Sequence, residues 1–211
     1  MRAGIKEACA RSYIRGGVIE RGANGDGRKA RLQEKDALKN FERLMLPHLD
    51  AAHNLARWLT RNETDAEDVV QEAFLRAFKF FATFRGNDSR RWLLAVVRNT
   101  CFTWLRQNRA GELLQTGDGE DVELIEGYED DPEETLAQSD EREQLRRAIE
   151  ELPAEFREVI VLRELEGMSY REIASIASVP VGTVMSRLAR ARRRLRRSLT
   201  PPARKGGAHG V

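Results

Sequence analysis

The sequence predicts an all-α protein of two small helical domains joined by an acidic, flexible linker. Three observations carry that expectation. Apolar residues recur at helical spacing from about residue 36 to residue 108. The periodicity then stops between residues 110 and 139, a stretch with eleven acidic residues and no basic one. Beyond it helical spacing returns and ends in REIASIASVPVGTVMSRLARARRRLRR (171–197), where a compact helix, a proline and an arginine-loaded helix follow one another. The expected divisions are 1–34, a disordered extension; 35–109, the first helical domain; 110–139, the linker; 140–199, the second helical domain; and 200–211, a disordered tail.

Each element has its own warrant. Residues 1–34 scatter Gly16, Gly17, Gly22, Gly25 and Gly27 among charges without sustained period, as in a disordered arm, either a weak nucleic-acid contact or a tail without function. Folded structure is expected from near Asp36, where Phe41, Leu44, Leu55, Trp58 and Leu59 keep helical phase past an irregularity at Pro47. For the second helix, Thr64 with Glu67 three residues on reads as a capping box, and Val70, Phe74, Ala77 and Phe81 form its apolar stripe. A third helix, from about Ser89 to Asn108, carries Trp92, Val96, Val97, Cys101 and Trp104, completing a bundle. After the linker, one helix ends near Leu152 and Pro153 and another at Gly167.

The last two helices read as a helix-turn-helix. Val184, Leu188, Ala191 and Leu195 make one narrow inward stripe, while Ser186, Ala189, Arg190 and Arg193 face outward, flanked by Thr183, Arg187, Arg194 and Arg197. Pro180 suits the first turn of the second of these helices, and Ile173, Ala174 and Ala177 allow close approach of the first. Between Arg187 and Lys205 there are nine basic residues and no acidic one, which suits a DNA groove better than a membrane surface.

Composition narrows the function classes. The formal net charge is only +2, with 33% of residues charged, but the charges are segregated: basic N-terminus, acidic middle, basic C-terminus. Cys9 and Cys101 have neither the count nor the spacing of a disulfide framework or zinc site, and Cys101 is expected in the core. No run approaches the length of a membrane span and no signal-peptide centre is visible, so a cytoplasmic protein without membrane insertion is expected. The glycines at 22, 25 and 27 do not form a phosphate loop, His48 and His53 are not spaced as a zincin pair, and no nucleophile is partnered. Neither an enzyme nor a cofactor or metal site is expected.

Two separated stretches carry a family resemblance. DAEDVVQEAFLRAF (65–78), then FRG (84–86) and WLLAVVRNT (92–100), resembles the second region of sigma-70 family initiation factors. In the same order, LPAEFREVIVLRELEGMSYREIASIASVPVGTVMSRLARARRRL (152–195) resembles their fourth region. With only a linker between them, the chain looks like the short extracytoplasmic-function type. The resemblance implies binding to bacterial core RNA polymerase through Asp65, Asp68, Gln71 and Glu72, which lie off the apolar stripe of the second helix. It implies capture of a flipped -10 base by Phe84, Arg85, Gly86, Asn87, Asp88 and Ser89, in a loop whose aromatics and arginines suit single-stranded DNA. Arg90, Arg91, Arg98 and Arg106 would steady the backbone there, whereas Phe81, Trp92 and Trp104 are read as core. In the second domain it assigns Arg171 and Thr183 to the -35 duplex, with Ser186 and Arg190 as base readers and Arg187, Arg193 and Arg194 on phosphates. Promoter DNA is thus the second partner and an anti-sigma factor a further candidate. Met185 stands where many relatives carry lysine or arginine, and Thr103 where aspartate is common. The linker reads equally as a nucleic-acid mimic or a passive tether.

Overall fold

The computed structural model describes residues 26–86, 88–109 and 135–199, with side chains from Asp36 in the first segment and from Asp140 in the third. The described residues form helices, with no strand among them. They are α1 (Asp26–Met45), a 3-10 turn (Leu46–His48), α2 (Leu49–Thr60), α3 (Glu63–Phe80), α4 (Ser89–Asn108), α5 (Thr135–Glu150), α6 (Ala154–Ile160), α7 (Tyr170–Ala177) and α8 (Val181–Leu199).

Pro47 produces the expected irregularity, a 3-10 turn between α1 and α2. Three boundaries differ from expectation. α1 begins at Asp26, inside the stretch read as a disordered extension; its first turns, DGRKARLQEK, are too polar for apolar periodicity to reveal them. α5 begins at Thr135, inside the stretch read as linker. The cap of α3 is Asn62, not Thr64. Arg61 takes a left-handed φ of 57° that ends α2 abruptly, so extended Asn62 arrives first and its Oδ1 accepts the Asp65 N–H at 3.0 Å.

α2, α3 and α4 pack on one another through Leu55, Leu59, Val70, Phe74, Leu93 and Val97, all fully buried, and α1 closes the bundle with Phe41. Phe41 meets Phe74, Phe78 and Phe81 edge to face at 5.1–6.2 Å, a geometry aromatic quadrupoles favour. Cys101 is buried in this core, and burial pushes its thiol pKa well up, which keeps it unreactive.

In the second domain α8 packs on α5, α6 and α7, and Val184, Leu188 and Ala191 are buried as the stripe requires. α6 runs into a π-helical turn, Val161–Leu165, whose wide closure gives Glu166 N–H to Val161 O. Gly167 follows at φ +67°, a conformation a side chain would strain. Ser169 then starts α7 with a reciprocal capping box to Glu172.

The two domains are packed together. α4 lies on α7 and α2 on α6, so a continuous core runs from Phe41 to Ala191. Polar contacts reinforce the seam. Arg157, fully buried on α6, gives one guanidinium N–H to Glu150 O and another to Leu59 O of α2 at 3.5 Å, and Arg61 reaches the same Glu150 carbonyl at 3.2 Å.

Candidate nucleic-acid and partner interfaces

The apolar stripe of α3 points its opposite face at solvent. Asp68, Gln71 and Glu72 are exposed and Asp65 is half-buried, its carboxylate 4.0 Å from Arg109. Glu72 holds Arg76 one turn on at 2.7 Å, an exposed pair of small energetic value. Four acceptors therefore lie on one helix, three of them open to a partner. At its last residue Phe80 is 53% exposed with Lys79 over its ring, an exposed aromatic that periodicity alone does not single out because it sits beside the buried stripe.

The loop between α3 and α4 divides its candidates between structural and open positions. Phe84 is half-buried, 5.3 Å from Trp92 and stacked at 6.1 Å on Phe81, so it anchors the loop. Asp88 caps α4 through the Arg91 N–H at 2.9 Å, and Ser89 Oγ is 3.0 Å from His48 Nε2. Burial and the neighbouring Arg90 hold the His48 imidazole pKa below its usual value, which keeps the ring neutral for that bond. Arg85 and Gly86 are exposed; Asn87 lies outside the described residues.

The α4 arginines are placed differently from the sequence expectation of arginines open to a backbone. Arg98 donates Nε–H to Glu158 Oε1 of α6 at 2.7 Å, with the Glu158 side chain fully buried, and its guanidinium lies 4.1 Å over Phe102. Arg90 reaches Glu166 across the seam, Nη2 to Oε2 at 2.5 Å and Nη1 to the backbone oxygen at 3.0 Å, while Asn54 of α2 donates to Oε1 at 2.5 Å. Arg91 is held more loosely, 3.5 Å from Asp88, and Arg106 is exposed. Burial raises the Glu158 pKa, against the opposing pull of Arg98. Sequence reasoning missed Glu158, Glu166 and Asn54. Glu158 alone left a signal, a carboxylate set among Phe156, Val159 and Ile160, where an apolar residue is the ordinary choice.

On the second domain α8 turns an outward face to solvent. Arg171 of α7 is exposed, as are Ser186, Arg190, Arg193 and Arg194, while Thr183 is half-buried and its carbonyl accepts the Ser186 hydroxyl at 2.9 Å. Arg194 lies over the Phe156 ring at 5.2 Å. Arg187 departs from its expected phosphate position: its side chain is 20% exposed and sits 3.3 Å from Glu155 of α6. Helical phase explains this, since Arg187 flanks the inward stripe. Elsewhere His53 Nε2 lies 3.1 Å from Glu63 Oε1 with Glu67 close by, both glutamates in open solvent.

The geometry thus pairs an acidic face on one helical domain with a basic helix-turn-helix on the other. Family models match both: "Sigma-70 region 2" over residues 44–111 and "Sigma-70, region 4" over residues 142–195. The RNA polymerase sigma-H factor of Pseudomonas aeruginosa is 31% identical over 87% of this chain and 93% of its own length. The chain belongs to the sigma-70 family, in its extracytoplasmic-function branch. The sigma-E factor of Escherichia coli is 37% identical over 67% of this chain and 77% of its own length. SigE of Mycolicibacterium smegmatis is 32% identical over 77% of the chain, which spans 63% of that longer protein. Among solved structures, this sigma factor is similar to the sigma factor RpoE of Bartonella quintana in complex with the anti-sigma factor NepR, at TM-score 0.57 and 30% identity over 76% of this chain and 97% of that one. It is also similar to CnrH in complex with the cytosolic domain of CnrY, at TM-score 0.52 and 28% identity over 75% and 86% of the two chains. As a member of this family it is a transcription initiation factor that binds RNA polymerase and recognises promoters. No helix among the described residues is long and apolar enough to cross a membrane.

Proposed function

We propose that Asp68, Gln71 and Glu72, with Asp65 beside them, dock this sigma factor on the coiled coil of the polymerase's largest subunit, that the 84–89 loop captures a -10 base, and that α8 reads the -35 duplex. The observation that carries this is the exposure of an acidic face on α3 and a basic face on α8 within one chain, in the order of regions 2 and 4. Arg85, Gly86 and Asn87 take the base, on a platform set by Phe84; Arg90, Arg91 and Arg98 hold the backbone; Arg171, Thr183, Ser186, Arg187, Arg190, Arg193 and Arg194 serve the -35 element. The protein acts in the cytoplasm, the polymerase supplies all covalent chemistry, and an anti-sigma factor is a further partner, as NepR is for the similar RpoE.

Promoter engagement requires the two domains to part. Helices in contact lie about 8–10 Å apart, whereas promoter elements two DNA turns apart are separated by roughly 70 Å. The chain from Arg109 to Thr135, at about 3.3 Å per residue, reaches roughly 80 Å and so permits the separation. In the closed arrangement Glu166 and Glu158 of the second domain occupy Arg90 and Arg98 of the first, two of the arginines proposed for phosphates, while Arg187 is held by Glu155 within the second domain.

The test is reconstituted transcription with core polymerase. The triple variant Asp68→Ala, Gln71→Ala, Glu72→Ala should lose core binding. Arg85→Ala with Asn87→Ala should bind core normally but fail to make -10 thymines permanganate-reactive. Normal melting by that double variant would overturn the loop assignment.

A further inference from the structure

α8 carries a second apolar row that its packing does not use. Val181, Met185 and Ala189 follow one another at i, i+4 and i+8, and all three are exposed; Val181 at 38% and Met185 at 53% are among the few large apolar side chains left in water. They run beside Gly182 and Ser186, with Arg190 and Arg193 beyond and Arg171 across the turn, so the row is edged by positive charge and short side chains. Gly182 adds an independent sign. It has no positive φ, a Cβ built on it meets nothing within 4 Å, and glycine is among the poorest helix formers. Neither backbone nor packing calls for a glycine there, so the missing side chain serves whatever approaches from outside.

We propose that Met185, with Val181 and Ala189 alongside, is a specificity-determining residue that reads a thymine C5 methyl in the -35 element, Gly182 admitting the DNA backbone close to the first turn of α8. The inference rests on the reading of α8 as the -35 helix. In the major groove the thymine methyl is the one apolar feature on a base edge, and an apolar side chain is its natural partner. The surrounding arginines favour a polyanion over a protein as the occupant. A lysine or arginine at position 185 would instead donate to guanine, so the side chain at 185 decides between thymine and guanine at that base pair.

The experiment uses holoenzyme reconstituted with core polymerase. A randomised -35 library first yields the preferred element for the wild type, Met185→Ala, Met185→Lys and Arg190→Ala. Each thymine of the wild-type element is then replaced by deoxyuridine, which removes only the methyl. The wild type should lose about fourfold in affinity at one position, the factor expected for one buried methyl group. Met185→Ala should lose less than about twofold there, and Met185→Lys should shift library preference toward guanine at that pair. Gly182→Ala should fold at least as stably, by circular dichroism, yet bind the element more weakly. If the wild type selects a -35 element and Arg190→Ala loses it, but deoxyuridine affects wild type and Met185→Ala alike, the proposal is overturned and the reading of α8 stands. If the wild type selects no -35 sequence, both fall.

Discussion

Arg98→Met should expose how the domain seam is held. The change keeps a stem of similar length over Phe102 but removes the cation and the 2.7 Å bond to Glu158, a carboxylate with no exposed surface. Stranding a buried charge costs about 3–5 kcal/mol; nearby Arg187 and protonation of the carboxylate both offset it, so about 3 kcal/mol is expected at pH 8. The pH dependence has a definite sign. Burial already raises the folded-state pKa of Glu158 above its ordinary value of 4.5. The folded state therefore binds the proton more tightly, a contribution fully present below about 4.5 and lost as pH rises through the folded pKa. Without Arg98 that pKa climbs further. The stability gap between variant and wild type should then be small near pH 5 and widen upward, by at most about 1.4 kcal/mol per pH unit. Urea denaturation from pH 5 to 8, followed by circular dichroism, measures it. The double variant Arg98→Met, Glu158→Gln carries no stranded charge and should recover to within about 1 kcal/mol of wild type, with the widening gone. A loss below about 0.5 kcal/mol, or one independent of pH, would refute the argument.

Two other outcomes follow from the same geometry. Glu166→Ala releases Arg90 and Asn54 at once, so labels on α3 and α8 should move apart by energy transfer in the free protein, while promoter-dependent transcription by the holoenzyme persists; an unchanged separation would show that apolar packing alone closes the seam. Ser169→Ala removes the α7 capping box and should cost about 1 kcal/mol. The Ser169 hydroxyl and backbone bonds hold the Glu172 pKa below 4.5, so that stabilisation is present above 4.5 and lost as pH falls through the folded value, and the variant's acid titration should be correspondingly flatter.

Legibility in the sequence followed periodicity. The inward stripes of α3 and α8 could be read because apolar residues repeat at helical spacing, and Val70, Phe74, Ala77, Val184, Leu188 and Ala191 are buried accordingly. The α3 acidic face and the α8 basic face were legible as the complements of those stripes. α1's polar first turns were not, because DGRKARLQEK offers no repeating apolar residues for periodicity to mark. Thr64 had the chemistry of a cap but lost the position to Asn62, since the abrupt left-handed end of α2 decides where the next helix starts. The engagement of Arg90, Arg98 and Arg187 was also hidden. Nothing in the spacing of residues 90, 98, 158 and 166 indicates that α4 would lie against α6 and α7, because the partners are 60 and 76 positions apart and meet only when the two domains pack face to face; Arg187 meets Glu155 only because α8 packs on α6.

Why the seam should be polar at all follows from what its arginines do next. A seam of leucines would close more tightly, since a buried ion pair repays little beyond its own desolvation. It would also leave an apolar face on α4 once the domains part, where the proposed function needs cations for a phosphate backbone. A carboxylate and a phosphate oxygen make similar charge-assisted bonds to a guanidinium, so Glu158 and Glu166 hold Arg98 and Arg90 in a geometry that DNA can take over with little net loss of bonding. The exchange costs least where the arginine stays close to water, as Arg90 does at 35% exposure, and most where the carboxylate is sealed, as at Glu158. Opening should therefore begin at the Arg90–Glu166 end of α4 and finish at Arg98–Glu158. Hydrogen exchange on the free protein should accordingly show amides around Glu166 and Gly167 opening before those around Glu158, and the reverse order would place the hinge at the other end of the seam.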